Sequence, residues 1–139
     1  MELNEALTFA ADHRNGVLVT LKRDGRPQLS NIVYVLGEGV ARISITANRA
    51  KYRNLLRDPR ASLYICHADF WSYVVLEGDA ELSPVAASPD DATVDMLVEV
   101  YRAIAGEHPD WDEYRAAMVA DQRLVVTLRP TRGYGMLSR

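Results

Sequence analysis

The stretch Gly16 to Val35 reads as two strands folded back on a tight turn, and this limits the chain more than any other feature. Val17, Val19 and Leu21 alternate with Leu18, Thr20 and Lys22, the two-residue period of a strand. Asp24-Gly25 follows, a pair suited to the left-handed backbone of a short hairpin. A second strand is predicted from Pro27 to Val35. Gly37-Glu38-Gly39 then turns the chain into a third, Val40 to Thr46, carrying Val40, Ile43 and Ile45. Turns this short join antiparallel strands, so a three-stranded meander is expected.

The remaining pattern mixes strands and short helices. A helix from Leu3 to His13 precedes the hairpin, with Leu3, Leu7 and Ala10 or Ala11 on one face and Asn4 as its cap. Another is predicted from Arg49 to Arg57, with Tyr52, Leu55 and Leu56 inward, stopped by Asp58-Pro59. Strands follow at Ala61 to Cys66 and Tyr73 to Leu82, with Gly78 as a bulge or close-approach point. Ser88-Pro89-Asp90-Asp91 reads as a helix start, Ser88 capping and Pro89 in the first turn. Val94, Leu97, Val98, Tyr101 and Ile104 share a face of that helix, and Gly106 ends it. A helix from Asp110 to Ala120 sets Trp111, Tyr114 and Met118 on one side, as core. The last strand runs from Leu124 to Arg129, is interrupted by Pro130 and resumes near Tyr134. This order argues for a mainly β (α+β) antiparallel sheet. Closure into a six-stranded barrel with flanking helices would remove its exposed edges.

With 139 residues, the chain is read as one domain. No apolar run approaches the roughly 20 residues of a membrane-spanning helix, and the N-terminal residues carry Glu2, Glu5 and Asp12 with no basic cluster. A cytoplasmic location, with no membrane partner, is expected. A net charge of −3 gives no reason to invoke nucleic acid. The single cysteine, Cys66, excludes an internal disulfide and reads as a small buried hydrophobe. Nucleophile-elbow, P-loop and dinucleotide fingerprints are absent. His13, His67 and His108 are far apart in sequence. His67 with Asp69 reads as a solvated loop, His108 as part of a helix cap, and no metal site is expected.

Three segments carry possible chemistry. Arg49, Lys51, Arg53, Arg57 and Arg60 crowd the second helix, with Arg49 and Lys51 in its first turn. The helix dipole disfavours cations there, unless an anion sits between them and the backbone N–H groups. Asn54 shares a face with Lys51. A solvated basic helix is the competing reading. Gln28 and Ser30 alternate with Leu29 and Asn31, so one strand carries polar groups on both faces, as a cofactor edge or a water-facing edge strand would. Phe70-Trp71-Ser72-Tyr73 offers a stacking surface with hydroxyls, or a core or dimer contact.

Gly16-Val17-Leu18-Val19-Thr20 with Asp24-Gly25-Arg26-Pro27-Gln28-Leu29-Ser30-Asn31, then the stretch from Arg49 to Ser62, then Trp71 to Gly78 and Tyr101 to Arg115, together resemble the pyridoxamine 5′-phosphate oxidase-like split β-barrel proteins. The likeness is greatest to their F420-dependent branch, of actinobacterial type. It implies a homodimer with cofactor sites at the interface. Gln28, Leu29, Ser30 and Asn31 would flank the ring, with Ile45 and Thr46 nearby. Arg49, Ala50, Lys51 and Asn54 would hold the phosphate, and Trp71 and Ser72 would approach from the partner. It also implies hydride transfer between coenzyme F420 and a small organic substrate, with Tyr73, Ser72 or water as proton donor. Vitamin B6 oxidases carry a longer C-terminal region with a tryptophan and an arginine that serve cofactor and substrate, so that activity is not expected here. FMN as cofactor, a non-catalytic F420 carrier and, last, a haem-related role are the alternatives.

Overall fold

The computed structural model describes residues 1–138. Helix α1 (Leu3–Ala11) leads into β1 (Asn15–Leu21), and the Asp24-Gly25 turn returns the chain along β2 (Pro27–Val33). Their register runs from Asn15 opposite Val33 to Leu21 opposite Pro27. One residue, Tyr34, then separates β2 from β3 (Val35–Gly37), where a single strand was expected. Tyr34 is fully buried. Its hydroxyl donates to the Ala10 carbonyl at 2.6 Å and its N–H to the Arg14 carbonyl at 2.8 Å. Burial holds the phenol well above its ordinary pKa, so it stays a donor. These bonds tie the chain to the α1–β1 connection and break the strand.

β4 (Val40–Thr46), α2 (Ala50–Arg57), β5 (Arg60–Cys66), β6 (Tyr73–Leu82), α3 (Ala92–Ala105), α4 (Trp111–Ala120) and β7 (Arg123–Met136) complete the chain. The strands form one antiparallel sheet in the order β2-β1-β5-β6-β7-β4-β3, seven strands against the six expected. The meander is only partly realised: β4 pairs with β3 and β7, not with β2. β2 and β3 are joined by one residue yet lie at opposite edges of the sheet. One residue spans less than about 4 Å, so the sheet must roll until its edges meet. The result is a curled half-barrel in which β2 and β4 face each other without a ladder between them.

Leu18, Ile43, Ile45, Leu63, Ile65, Leu76, Leu124 and Leu128 fill the interior, and α1 closes it with Ala6 and Ala10. A second cluster forms where α3 and α4 cover Val125, joining Val94, Leu97 and Val98 to Trp111, Tyr114 and Met118. β7 is thus buried on both faces from Leu124 to Leu128. It does not stop at Pro130. Glu77 faces Arg132 and Gly78 faces Pro130, so Thr131 is the extra residue of a bulge. A Cβ on Gly78 would lie 2.1 Å from the Arg129 carbonyl oxygen, which explains the glycine.

Three local expectations are corrected. At α1, the Glu5 carboxylate accepts the Glu2 N–H at 3.3 Å, in place of a cap at Asn4. α3 starts at Ala92 with Asp91 as its cap. That carboxylate accepts N–H bonds from Val94, Ala87 and Ser88 at 2.9, 2.8 and 3.1 Å, so the Ser88-Pro89 turn folds back onto it. On α2, Leu56 is 62% exposed and Asn54 takes the buried position beside Leu55. No helix among the described residues is long and apolar enough to cross a membrane.

Candidate functional site

The gap between β2 and β4 opens a cleft of about 700 Å³. β2 contributes Gln28, Ser30, Asn31, Ile32 and Val33, and β4 contributes Ser44, Ile45 and Thr46. Arg49, Ala50 and Lys51 stand at the start of α2, Val100 and Ile104 come from α3, and Arg123 opens β7. Eight of the twelve residues expected at a cofactor site therefore share one cavity: Gln28, Ser30, Asn31, Ile45, Thr46, Arg49, Ala50 and Lys51.

The other four lie elsewhere in the chain. Strand alternation sends Leu29 to the outer face of the sheet, where it is 60% exposed. Asn54 is buried behind the cleft. Its Nδ2 donates to Thr20 Oγ1 at 3.1 Å and its Oδ1 accepts from Arg57 at 3.0 Å. Thr20 in turn donates to Gln28 Oε1 at 3.3 Å, and Gln28 Nε2 donates to Ser30 Oγ at 3.3 Å. Asn54 thus orients the polar wall and does not line it. Trp71 and Ser72 sit on the β5–β6 loop. Ser72 is buried against Ser138, Oγ to Oγ at 2.7 Å, while Trp71 is 69% exposed. Asp69 accepts the N–H groups of both, at 3.1 and 3.3 Å, fixing the loop that presents the indole.

The cleft is cationic. Arg49, Lys51 and Arg123 line it and no carboxylate does. Arg49 is the N-cap of α2 and supplies no side-chain acceptor, and the first turn holds no acidic residue. The helix start therefore has backbone N–H groups with no side-chain acceptor, an arrangement that suits an anion. The Lys51 amine is held below its ordinary pKa, first by burial, then by Arg49 and Arg123. Arg123 Nε is buried without a partner, and its guanidinium reaches only the carbonyl and hydroxyl of Ser44 at 3.5 and 3.4 Å. A buried donor left unpaired costs about 1–3 kcal/mol, so this donor set fits a phosphate-bearing ligand. Arg123 was not picked out from the sequence. Its one cue is a lone cation between the end of a helical pattern and an apolar strand.

A second groove of about 440 Å³ adjoins the first through Ala50 and is lined by Lys22, Arg23, Asp24, Arg53, Asn54 and Arg57. Arg57 donates to the Leu21 carbonyl at 2.8 Å as well as to Asn54. Arg60, counted with these cations in the sequence, is held by Asp58 at 2.8 Å.

On the outer face, the registers align Asn31, Val17, Tyr64, Val75 and Tyr134 in one row and place Leu29, Val33, Tyr73 and Met136 beside it. A depression of about 480 Å³ there includes Asn31, Ile32 and Val33, which also line the cleft, so the two share this stretch of β2 as a wall. Cys66 borders it half-buried, not fully buried as expected, and its Sγ donates to the carbonyls of His67 and Phe70, each at 3.3 Å. His67, read as a solvated loop residue, meets His13 at 3.2 Å between ring nitrogens. Among the described residues no three metal-ligating side chains come together.

Comparison with known proteins agrees with this architecture. A family model described as pyridoxamine 5′-phosphate oxidase matches residues 3–136. Among solved structures, an F420 reductase is 22% identical over 91% of this chain and 94% of its own, with a TM-score of 0.69. The conserved protein Rv2991 of Mycobacterium tuberculosis is 25% identical over 97% and 84%, with a TM-score of 0.74. A heme binding protein of Mycobacterium smegmatis is 26% identical, with a TM-score of 0.71, over 96% of this chain but 53% of that one. A match across nearly the whole chain, on a rolled antiparallel sheet split between β2 and β4, makes this protein a member of the pyridoxamine 5′-phosphate oxidase family.

Proposed function

We propose that this protein is an oxidoreductase that uses coenzyme F420 to exchange a hydride with a small organic substrate. The observation that carries the reading is the acid-free, cation-lined cleft between β2 and β4, ending at the uncapped start of α2. When bound, the deazaflavin supplies the hydride chemistry, and the protein contributes position and surroundings. Arg49 and Lys51 hold the phosphate at the helix start. Gln28 and Ser30 offer an amide and a hydroxyl to the ring edge, Asn31 stands on the outer face beside the mouth of the cleft, and Gln28 is steadied through Thr20 and Asn54. Ile45, Val100 and Ile104 give an apolar wall that excludes water.

FMN would suit the same phosphate site. The adjoining groove with Lys22, Arg23, Arg53 and Arg57 favours F420, whose acidic tail extends beyond its phosphate. No histidine lines the cleft, which disfavours haem there. We further propose a homodimer, in which a second copy covers the outer face and brings its Trp71 and Ser72 to the mouth of this cleft.

Fluorescence titration of the ligand-free protein with F420 and with FMN tests the cofactor. Saturable F420 binding that tightens with tail length, and loses that trend in Arg53→Ala, is expected. Preference for FMN would move the protein to the flavin branch. F420 binding without oxidation of the reduced form by quinones, nitro compounds, enones or tetrapyrroles would make it a carrier.

A further inference from the structure

We propose that Arg123 is a third ligand, with Arg49 and Lys51, for the phosphoryl group held in the cleft. This rests on the cofactor reading above and adds to it a residue from a different part of the fold. Arg123 pairs with Thr46 in the β4–β7 register, which sets its side chain beside the loop leading to Arg49. The preceding Gln122 adopts φ 53°, a left-handed conformation that few non-glycine residues take, and its carbonyl accepts the Ala47 N–H at 3.0 Å. The turn that launches Arg123 is thereby fastened to the loop that delivers Arg49.

The guanidinium is then left underused. Its Nε is buried and unpartnered, its contacts with Ser44 are 3.4 Å or longer, and it joins none of the ion pairs among the described residues. An arginine kept for structure would be paired, because its charge cannot be shed. Here two other cations line the same cleft, so like-charge repulsion adds to the cost of the unpaired Nε. A phosphoryl group removes both faults, since its oxygens accept from the guanidinium and offset its charge. A residue that costs stability until its ligand arrives fits a binding role, since function is commonly retained at the expense of stability.

The test uses Arg123→Met, which keeps the bulk and drops the charge, and Arg123→Lys, which keeps the charge and drops Nε. The readouts are the melting temperature without ligand, titrations with F420 and FMN, and competition by inorganic phosphate. Arg123→Met should melt at or above the parent protein and bind both cofactors about 10- to 100-fold more weakly. Phosphate should compete less well against it, and Arg123→Lys should fall between. Unchanged affinity for both cofactors, or a melting temperature well below the parent's, would overturn the role of Arg123 and leave the cofactor reading standing. Loss confined to F420 would place the contact on the acids beyond the phosphate and overturn the phosphoryl assignment. A parent protein that binds neither cofactor would bring down the cofactor reading and this role together.

Discussion

Asn54 shows how a residue can serve the cleft without touching its contents. It is buried and joins α2 to β1 through Thr20. Asn54→Ala would leave Thr20 and Arg57 short of partners. It should cost about 1–3 kcal/mol, read as a lower urea midpoint with an unchanged m-value. Loss of cofactor affinity should follow from a loosened Gln28, so Gln28→Ala in the Asn54→Ala background should weaken binding little further. Lys51 supports a different measurement. Burial, Arg49 and Arg123 hold its amine below the usual lysine value, and anion binding needs the charged form. Affinity should therefore decline as pH rises, at less alkaline pH than for an ordinary lysine. Lys51→Arg, which stays charged, should remove that decline from a titration series across the alkaline range.

At the scale of elements, the sequence carried what is local. The period of β1, the Asp24-Gly25 turn, the stop at Asp58-Pro59 and the end of α3 at Gly106 all follow from neighbouring residues. The pairing of strands did not. Nothing in the alternation of Pro27 to Val35 reveals that Tyr34 will bond to Ala10 and Arg14, split the strand and send its halves to opposite sheet edges. The cleft residues of β2 and α2 were readable because polar and basic groups interrupt otherwise apolar patterns, whereas Ile45 and Thr46 of β4 came only through the family resemblance. Arg123 was hidden because only the β4–β7 register brings it there. The α3 start was misread because Ser88-Pro89 and Asp91 both satisfy the local rule, and three N–H groups converge on Asp91. Those bonds, from Ala87 first and then Val94, hold its carboxyl below the ordinary value. A lowered carboxylate stabilises the fold above the unfolded-state pKa of about 3.9, and that contribution fades as pH falls through the lower folded value. Asp91→Ala should cost about 1 kcal/mol near neutrality. Urea unfolding at neutral and acid pH checks this: the gap between parent and variant should shrink in acid. Because α3 supplies Val100 and Ile104, cofactor affinity should drop with it.

For the whole molecule, the decisive feature is that the cleft and the apolar outer face share Asn31, Ile32 and Val33. Leu29, Val33, Tyr134 and Met136 are 60%, 44%, 49% and 62% exposed within one chain, four large apolar side chains on the face that also carries Val17, Tyr64 and Val75, which suits a contact surface. Trp71 stands nearby, held out by a loop pinned through Asp69 and Ser138. A second copy on this face would bury the apolar rows and bring one chain's indole toward the other's cleft. Light scattering should therefore give twice the 15.5 kDa of one chain. Leu29→Lys with Val33→Lys should give a folded monomer, because both side chains already face outward, while like charges repel across the two-fold contact. That monomer should keep its circular dichroism spectrum and bind F420 more weakly than the parent. Trp71→Ala should weaken binding while leaving the dimer intact. A monomeric double variant with parental affinity would mean that one chain completes the site alone and that the loop carrying Trp71 serves some other contact.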